Sequence, residues 1–454
     1  MPRIPVQAPR IASADVQLAG PPPTSAPRVL VVTQNCSVPS DRRVWNELRA
    51  LRGAGYEVVA ICPEGDGDEG ARFEPREGID IFRYAQPPAS GTPISYLREY
   101  AVAFWRIRHL AHRLAGERGF DVVQVSNPPD FLLMTVHFLK RRGARLIFDH
   151  HDLAPELYLE RFGGDGGVFY RVLYRLMRLL ERSSFSLADL ALATNESYKR
   201  VAVQRGKMRP EDVFVVRSGP ELARFKPVPA DPDLKRGRRT LISFIGEMAP
   251  QDGVDHAVRA LGHLRQRRDD WHAIFAGDGV ALDDLRALTT SLGLDDHIEF
   301  TGMLQDPELL RVLSSSDLCL VPDPKTPLSD ASTLVKIAEY MAISRPIVSY
   351  DLTESRVTAQ EAAIYARPND PEAFAEAIAT LLDDPERRAL MGRIGRDRVE
   401  RLLSWENSRR ELLAAYEVAL AREPAAWARR HSGQRARRTV ARWLQCLGSR
   451  RRRR

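Results

Sequence analysis

Four side chains in one short segment are spaced so that they could bind a phosphorylated ligand. Ser332 and Thr333 precede the apolar, helix-forming run Leu334–Met341, and either hydroxyl is expected to cap that helix. The start of a helix carries about half a positive charge and attracts a phosphate. Lys336 could add a full charge. Glu339 stands about two turns beyond the cap, where its carboxylate could accept hydrogen bonds from sugar hydroxyls.

The same four residues have a plainer interpretation. A Ser-Thr pair before a helix is most often only a cap, and Glu339 could be a solvated residue on an exposed face. The choice between the two interpretations therefore depends on the elements that position this segment.

Short apolar runs alternate with amphipathic stretches along the chain, which predicts two α/β halves with parallel sheets covered on both faces. The predicted strands of the first half are Val29–Thr33, Glu57–Ile61, Asp80–Tyr84, Asp121–Ser126, Arg145–Asp149, Leu190–Thr194 and Val213–Arg217. Those of the second half are Thr240–Ile245, His272–Ala276, His297–Phe300, Asp317–Val321 and Pro346–Ser349.

A proline-rich stretch of mixed charge separates the two halves. The sequence predicts a disordered Pro-rich leader at 1–27, a Rossmann-like domain at 28–220, a linker at 221–237, a second Rossmann-like domain at 238–400, a helix at 401–422 that crosses back to the first domain, and a basic tail at 423–454. The two domains could be unrelated Rossmann-like units, or they could face each other across a cleft. In the second case the cleft is the expected site, because ligands bind at the carboxyl ends of parallel strands.

Composition excludes several classes of protein. With 44% hydrophobic and 28% charged residues among 454, the chain is not wholly disordered, collagen-like or a coiled coil. Its four cysteines show no CxxC spacing, which argues against a disulfide framework or a zinc site and fits a reducing compartment. No apolar run approaches the roughly 18 residues of a membrane-spanning helix, and prolines stand where a secretory signal would be apolar. We expect a cytoplasmic protein.

Most of the positive charge lies near the C-terminus. The formal net charge is +7, but residues 427–454 hold 11 arginines and no acidic residue, so the remainder of the chain is mildly acidic. Four apolar residues of this tail share one helical face, which is typical of an anchor on an anionic membrane: Val440, Trp443, Leu444 and Leu447. A solvated charge run is the alternative. Leu97–Leu114 is a second candidate membrane helix, and could equally be a core helix of the first domain.

The pattern Asp-x-Ser-Thr-x-x-Lys-x-x-Glu-Tyr-Met-Ala from Asp330, followed by Pro-Ile-Val, is similar to the donor-binding segment of family 4 glycosyltransferases, in the subgroup associated with bacterial surface polysaccharides. Other segments agree in order: Ser40–Glu47, Asn127–Asp130, Phe148–Leu153, Thr194–Ser197, Gly246–Gly253, Gly277–Gly279 and Phe300–Gly302. The resemblance runs from about Arg28 to Tyr416. It implies the GT-B fold, two Rossmann-like domains facing across a cleft, with a nucleotide-sugar donor held by the second.

The resemblance also implies roles for particular residues. His151 matches a family histidine that contacts the transferred sugar, and the adjacent Asp152 could orient its ring; with Lys336 and Glu339 it is the expected catalytic set. The donor is expected to contact Ser332, Thr333, Lys336, Glu339, Arg217, Gly246, Gly277, Gly279 and Gly302. The acceptor side is expected to include Asn127, Asp130, His150 and Glu196, although His150 could instead pack beneath its loop.

The sequence departs from the wider family at several positions. Ala331 stands where the first carboxylate of a Glu-x7-Glu pair is often found, and Ser218-Gly219 where the family has Asn-Gly. Glu247 and Asp252 stand where the wider family has a diphosphate-binding Arg and Lys. In place of those two basic residues, we expect Lys336, Arg217 and the helix start to neutralise the diphosphate.

The implied reaction is a retaining transfer of a sugar from a nucleotide diphosphate to a glycan or polyprenyl-linked acceptor, at the inner face of the plasma membrane. A phosphate oxygen takes the proton of the acceptor, and no metal or other cofactor is expected. Two alternatives stay open. One is a nucleotide-sugar epimerase or hydrolase of the same fold. The other is a nucleic-acid-binding protein that uses the arginine tail, which the acidic body disfavours.

Overall fold

The computed structural model describes residues 26–65, 72–87, 93–116, 118–162 and 167–422. The predicted leader, apart from its last two residues, and the predicted basic tail lie outside the described residues. Two sheets organise the described chain, and most of their short strands are rich in Val, Ile and Leu and are buried on both faces.

The first sheet has eight strands in the order β3-β4-β2-β1-β5-β6-β7-β8, parallel except for the edge strand β3. Its strands are β1 (Arg28–Val32), β2 (Glu57–Pro63), β3 (Phe73–Arg76), β4 (Ile79–Tyr84), β5 (Val122–Ser126), β6 (Arg145–His150), β7 (Leu190–Ala193) and β8 (Val213–Val215). Its helices are α1 (Arg42–Gly53), α2 (Pro93–Ala115), α3 (Leu133–Val136), α4 (Ala154–Phe162), α5 (Val168–Leu187) and α6 (Glu196–Gln204).

The second sheet has six parallel strands in the order β11-β10-β9-β12-β13-β14. Its strands are β9 (Thr240–Ile245), β10 (Trp271–Ala276), β11 (Ile298–Gly302), β12 (Leu318–Val321), β13 (Ile347–Tyr350) and β14 (Ala363–Ala366). Its helices are α7 (Val254–Arg265), α8 (Leu282–Ser291), α9 (Asp306–Ser315), α10 (Pro327–Ala331), α11 (Val335–Ala342), α12 (Thr353–Ala359), α13 (Pro371–Leu382) and α14 (Pro385–Arg398).

The last helix before residue 422, where the described chain ends, is α15 (Trp405–Ala421), and it returns to the first domain. Leu412 and Tyr416 pack in one core cluster with Val29 and Leu48 of β1 and α1. The Tyr416 hydroxyl lies 2.7 Å from Oε1 of the buried Gln124 in β5. The first domain is therefore completed by the C-terminal end of the described chain.

Within the described ranges the chain crosses between the domains twice, and the two crossings touch. A Cβ atom on Gly219 would lie 2.0 Å from the Leu403 carbonyl oxygen, so only glycine fits there. The Trp405 amide donates to the Pro220 carbonyl at 3.0 Å. This close contact fixes the position at which the two domains join.

Two strands and one helix were not fully foreseen. β3 and β14 were not predicted, because both are short and only partly buried. Within α2, Ala103, Ile107 and Ala111 are buried against the first sheet, so this helix is a core helix. None of the helices in the described ranges combines the length and the apolar content needed to cross a bilayer.

Candidate functional site

The start of α11 lies in the cleft, against the first domain. The Asn195 side-chain amide donates to the Ala331 carbonyl at 2.9 Å and to the Thr333 hydroxyl at 2.8 Å. The Tyr198 and Ser332 hydroxyls are 3.1 Å apart. These contacts join the loop after β7 to the segment that precedes α11, so the helix start faces the space between the two sheets.

The predicted cap of α11 is wrong. Neither Ser332 nor Thr333 caps it; the N-cap is Leu334, which has no side-chain hydrogen bond to the helix. The physical reason is that Ser332 ends the separate short helix α10, and its hydroxyl donates to the Leu328 carbonyl at 2.8 Å. The α11 start is left uncapped, with Val335 exposed at its first position, which is the condition an anion site requires.

Lys336 is held among carboxylates. Its ammonium nitrogen lies 2.9 and 3.1 Å from the two carboxylate oxygens of Asp323 and 3.9 Å from Oδ1 of Asp252. Burial raises the pKa of Asp252 to about 6; Asp323 and Glu247 add to the shift, and Lys336 opposes it. One of the two acidic replacements noted in the sequence, Asp252, therefore lies close to Lys336, and the positive charge of Lys336 is balanced mainly by its ion pair with Asp323.

Glu339 is half-buried, and no donor among the described residues forms a hydrogen bond with its carboxylate. Burial raises its pKa, against the lowering effect of Arg224 and Arg42. Arg224 forms a two-bond pair with Asp306 at 2.5 and 2.6 Å, and Arg42 of the first domain lies 4.0 Å from the same carboxylate. The carboxylate oxygens of Glu339 can thus accept hydrogen bonds from a ligand at the domain junction.

His151 follows β6 on the opposite side of the cleft. Its Nδ1 lies 3.2 Å from Oδ2 of Asp149, and its Nε2 lies 4.0 Å from the Asp152 carboxylate. Burial alone would lower the pKa of His151, but the hydrogen bond and charge of Asp149 outweigh it and raise the pKa to about 9. The ring is therefore protonated at neutral pH and can donate from Nε2.

A buried network that the sequence did not reveal holds Asp149. Arg43 donates to Oδ1 of Asp149 at 2.8 Å, lies 3.2 Å from Glu47, and also donates to the Val216 carbonyl at 2.9 Å. Gln124 donates in turn to Glu47 at 2.6 Å. Burial would raise the pKa of Asp149, but Arg43 and His151 hold it well below its usual value. The carboxylate of Asp149, which orients His151, is thus kept ionised and in place by Arg43 on one side and His151 on the other.

Three of the residues expected on the acceptor side are buried, namely His150, Asn127 and Asp130. His150 is wholly buried, ringed by Phe148, Phe185 and Tyr198, and lies 3.3 Å from the Glu181 carboxylate. This location corrects the expectation that its side chain faces the cleft. The reason is strand alternation, which points His150 to the same face as the core residue Phe148.

Asn127 and Asp130 shape the loop and do not line the cleft. The Asn127 oxygen accepts from the amides of His151 and Asp152 at 2.9 and 3.1 Å, and its nitrogen donates to Asp130 at 2.8 Å. Both side chains are buried, and burial raises the pKa of Asp130 to about 7. The expectation of direct acceptor contact by these two residues is therefore corrected to a role in positioning the His151 loop.

Glu196 is exposed at the start of α6. Arg217 follows β8, and its Nη1 is buried with no hydrogen-bond partner in the described chain. Burial lowers the pKa of Arg217, while Glu354 and Glu196 oppose that shift. Its role towards a diphosphate stays a prediction.

Gly277 and Gly279 of the second domain are required by backbone contacts between neighbouring loops. A Cβ atom on Gly277 would lie 1.8 Å from the Gly246 carbonyl oxygen, and one on Gly279 would lie 2.5 Å from that of Met248. A Cβ atom on Gly246 would lie 3.7 Å from Cε of Lys336, and one on Gly302 would meet no heavy atom within 4 Å. These residues set the shape of the loops on the donor side.

Comparison with known proteins gives a consistent picture. A family model described as "Glycosyl transferase 4-like domain" matches residues 40–219, and one described as "Glycosyl transferases group 1" matches residues 239–384. The D-inositol 3-phosphate glycosyltransferase of Salinispora tropica is 27% identical over 398 residues, which covers 82% of this chain and 79% of that protein.

Two solved structures share the fold. Sucrose-phosphate synthase from Thermosynechococcus elongatus has a TM-score of 0.70 at 18% identity, covering 87% of this chain and 99% of that one. Anabaena Alr3699/HepE, solved in complex with UDP and glucose, has a TM-score of 0.64 at 15% identity, covering 86% and 99%.

Proposed function

Since the chain belongs to family 4 of the GT-B glycosyltransferases, we propose that it transfers a sugar from a nucleotide-diphosphate donor to a glycan or lipid-linked acceptor, as a step in cell-surface polysaccharide biosynthesis. The observation that carries the donor assignment is the uncapped start of α11 in the cleft, with Lys336 in its first turn and the unpartnered Glu339 carboxylate one turn further on. That HepE is solved with UDP and glucose supports a nucleoside diphosphate as the leaving group.

The charge of the leaving group explains the arrangement. When the bond between the anomeric carbon and the phosphate oxygen breaks, the nucleoside diphosphate gains negative charge, and groups that stabilise this gain lower the barrier. The amides at the start of α11 and the ammonium of Lys336 would meet that charge. Glu339 would accept hydrogen bonds from the ribose hydroxyls and so fix the nucleotide in place.

The transferred sugar would lie between α11 and His151. The protonated His151 can donate from Nε2 to a sugar hydroxyl while Asp149 holds its other nitrogen. The acceptor hydroxyl forms the new bond to the anomeric carbon on the face that the leaving group vacates, so the configuration is retained. Its proton passes to a phosphate oxygen of the departing diphosphate. We expect this reaction to need no metal, because fixed protein charges meet the developing charge.

The proposal places the enzyme in the cytoplasm at the inner face of the plasma membrane, where a polyprenyl-linked glycan would be reached. The arginine tail as a membrane anchor remains a prediction about residues outside the described ranges. Neither an epimerase or hydrolase nor a nucleic-acid-binding protein is favoured by the family assignment.

The test is transfer of radiolabelled sugar by the full chain, with each common nucleotide sugar in turn and a bacterial membrane lipid extract as the source of acceptor. We expect label in the glycolipid fraction with one donor. Glu339→Gln should lower the rate, and the matched control Glu386→Gln, exposed at the start of α14, should not. Release of free sugar without labelled glycan, or no reaction with any donor, would overturn the proposal.

A further inference from the structure

The outer face of α5 carries a row of exposed apolar side chains. Val168, Val172, Leu176 and Leu179 are between 47 and 69% exposed. Their spacing of three or four residues places them on one side of the helix, in a stripe about 16 Å long by the rise of an α-helix. Buried residues of the same helix, such as Phe185, pack in the core on its other side. Nothing in the described part of the chain covers this stripe.

Arginines line one edge of the stripe. Arg171, Arg175, Arg178 and Arg182 are all exposed and lie at helical positions adjacent to the apolar row. The only acidic residue of α5, Glu181, is fully buried and lies 2.5 Å from Arg205. The exposed face of α5 is therefore apolar along one side and purely cationic along the other.

We propose that this face of α5 docks on an anionic lipid bilayer, with the apolar stripe in the acyl boundary and the arginines on the lipid phosphates. A helix with this division of apolar and basic residues binds in the interface plane of a membrane, and each arginine close to an anionic surface adds to the attraction. A second copy of the chain is disfavoured as the occupant, since two α5 faces brought together would oppose arginines to arginines.

The position of α5 relates membrane docking to the proposed reaction, because α5 lies close to the acceptor side of the cleft. α5 packs along α4, and α4 begins three residues after His151 and touches α10 of the second domain. Arg205 of the α6 C-terminus ties the two helices together through Glu156 of α4 and Glu181 of α5. A bilayer at α5 would thus lie beside the acceptor side of the cleft. This relation, though not the surface itself, rests on the proposed transfer to a lipid-linked acceptor.

The test is flotation of the full chain with vesicles in the absence of donor and acceptor, so that it does not depend on catalysis. Vesicles of equal parts phosphatidylglycerol and phosphatidylcholine are compared with phosphatidylcholine alone at 0.15 M salt, where charges are screened beyond about 8 Å. Binding to the anionic vesicles is expected. Leu176→Ser/Leu179→Ser should weaken vesicle binding by about tenfold. Arg175→Glu/Arg178→Glu should also weaken vesicle binding, and the loss should be larger at low salt than at high salt.

Matched controls separate docking from general effects. Leu390→Ser/Leu402→Ser changes two leucines that are equally exposed in the second domain and its C-terminal extension, and Arg393→Glu changes an exposed arginine of α14; neither should alter binding. The same melting temperature for all variants shows that they fold.

Three outcomes overturn the proposal. The first is the absence of vesicle binding. The second is binding that both α5 variants leave unchanged, which would assign it to the tail. The third is concentration-dependent dimerisation that Leu176→Ser/Leu179→Ser abolishes, which would make the stripe an interface between copies. Failed sugar transfer with intact α5-dependent binding would count against the proposed function and not against this surface.

Discussion

Lys336 is paired with Asp323, whose two carboxylate oxygens lie 2.9 and 3.1 Å from its ammonium nitrogen. The lysine that should meet a diphosphate is thus fixed in place before the ligand arrives, in an environment that also contains Asp252. Fixing the side chain avoids an entropic cost on binding. The carboxylates, however, reduce the net positive charge that the ligand encounters, so the uncapped helix start must contribute a large share of the attraction.

Replacing Lys336 with glutamine should therefore weaken binding of the donor's nucleoside diphosphate by about tenfold, the effect of losing a hydrogen bond to a charged group. Binding of the corresponding nucleoside, which has no phosphate, should be unchanged. Isothermal titration calorimetry with both ligands checks this. Equal weakening of the two ligands would show that Lys336 acts on the loop structure and not on the diphosphate.

Glu339→Gln should weaken binding of the nucleoside diphosphate by about 10- to 100-fold, because charge-assisted hydrogen bonds are lost. The specific readout is a double comparison with the 2′,3′-dideoxy analogue. Removing the ribose hydroxyls should weaken binding to the wild-type protein and have little effect on the variant. If the analogue loses the same affinity with both proteins, Glu339 does not contact the ribose.

The pH dependence of that binding has a defined sign. Burial raises the pKa of Glu339, so the carboxylate takes up a proton as the pH falls through this raised value, and protonation removes acceptor capacity. Affinity should fall towards acid pH in the wild-type protein at a higher pH than an ordinary glutamate would cause. In Glu339→Gln this part of the profile should disappear. If affinity still falls at the same acid pH in Glu339→Gln, another titrating group causes the loss.

Asp149→Asn should lower the pKa of His151 from about 9 to below its ordinary value of about 6.5, because burial remains and the opposing charge is lost. Histidine NMR titration measures this directly, with the remaining histidines as internal controls. In the wild-type protein a raised histidine pKa contributes stability that is fully present below about pH 6.5 and is lost as the pH rises through about 9. The free energy of unfolding should show that decline, and the variant should not.

Gly277→Ala should destabilise the second domain by at least about 2 kcal/mol, since its Cβ would lie 1.8 Å from the Gly246 carbonyl oxygen. Gly53→Ala is the matched control: Gly53 is the last residue of α1, and a Cβ there would meet only the end of the Arg409 side chain at 3.9 Å. The control should be neutral or slightly stabilising. Chemical denaturation of both variants measures the difference, and similar stability for the two would contradict the loop packing described.

The sequence predicted the strands well because both sheets are mostly parallel and buried, which requires continuous apolar runs such as Val29–Val32 and Leu318–Val321. The predicted cap failed for a tertiary reason. Thr326 and Ser329 form a capping box that starts α10, so Ser332 belongs to the end of one helix and leaves α11 uncapped. The sequence did not predict α10, because its five residues are too few to show a helical hydrophobic period.

Strand alternation was the sequence signal that could have distinguished the buried His150 from His151. Phe148 and His150 lie two residues apart in a buried strand, so alternation could have placed both on the core side and left His151 for the cleft. Arg43 and Glu47, by contrast, occupy helix positions that are exposed in most proteins. Arg43 is buried because Asp149, a buried carboxylate of another element, requires a cation, and Glu47 lies 3.2 Å from the same arginine. A single sequence does not show that pairing.

The most direct measurement is a crystal structure of the protein with the nucleoside diphosphate of its donor. The account predicts that diphosphate oxygens lie within hydrogen-bonding distance of the Val335 and Lys336 amide nitrogens, that the Lys336 ammonium contacts the diphosphate, and that the Glu339 carboxylate accepts from the ribose hydroxyls. A nucleotide bound elsewhere in the cleft, with the start of α11 left without a ligand, would contradict it.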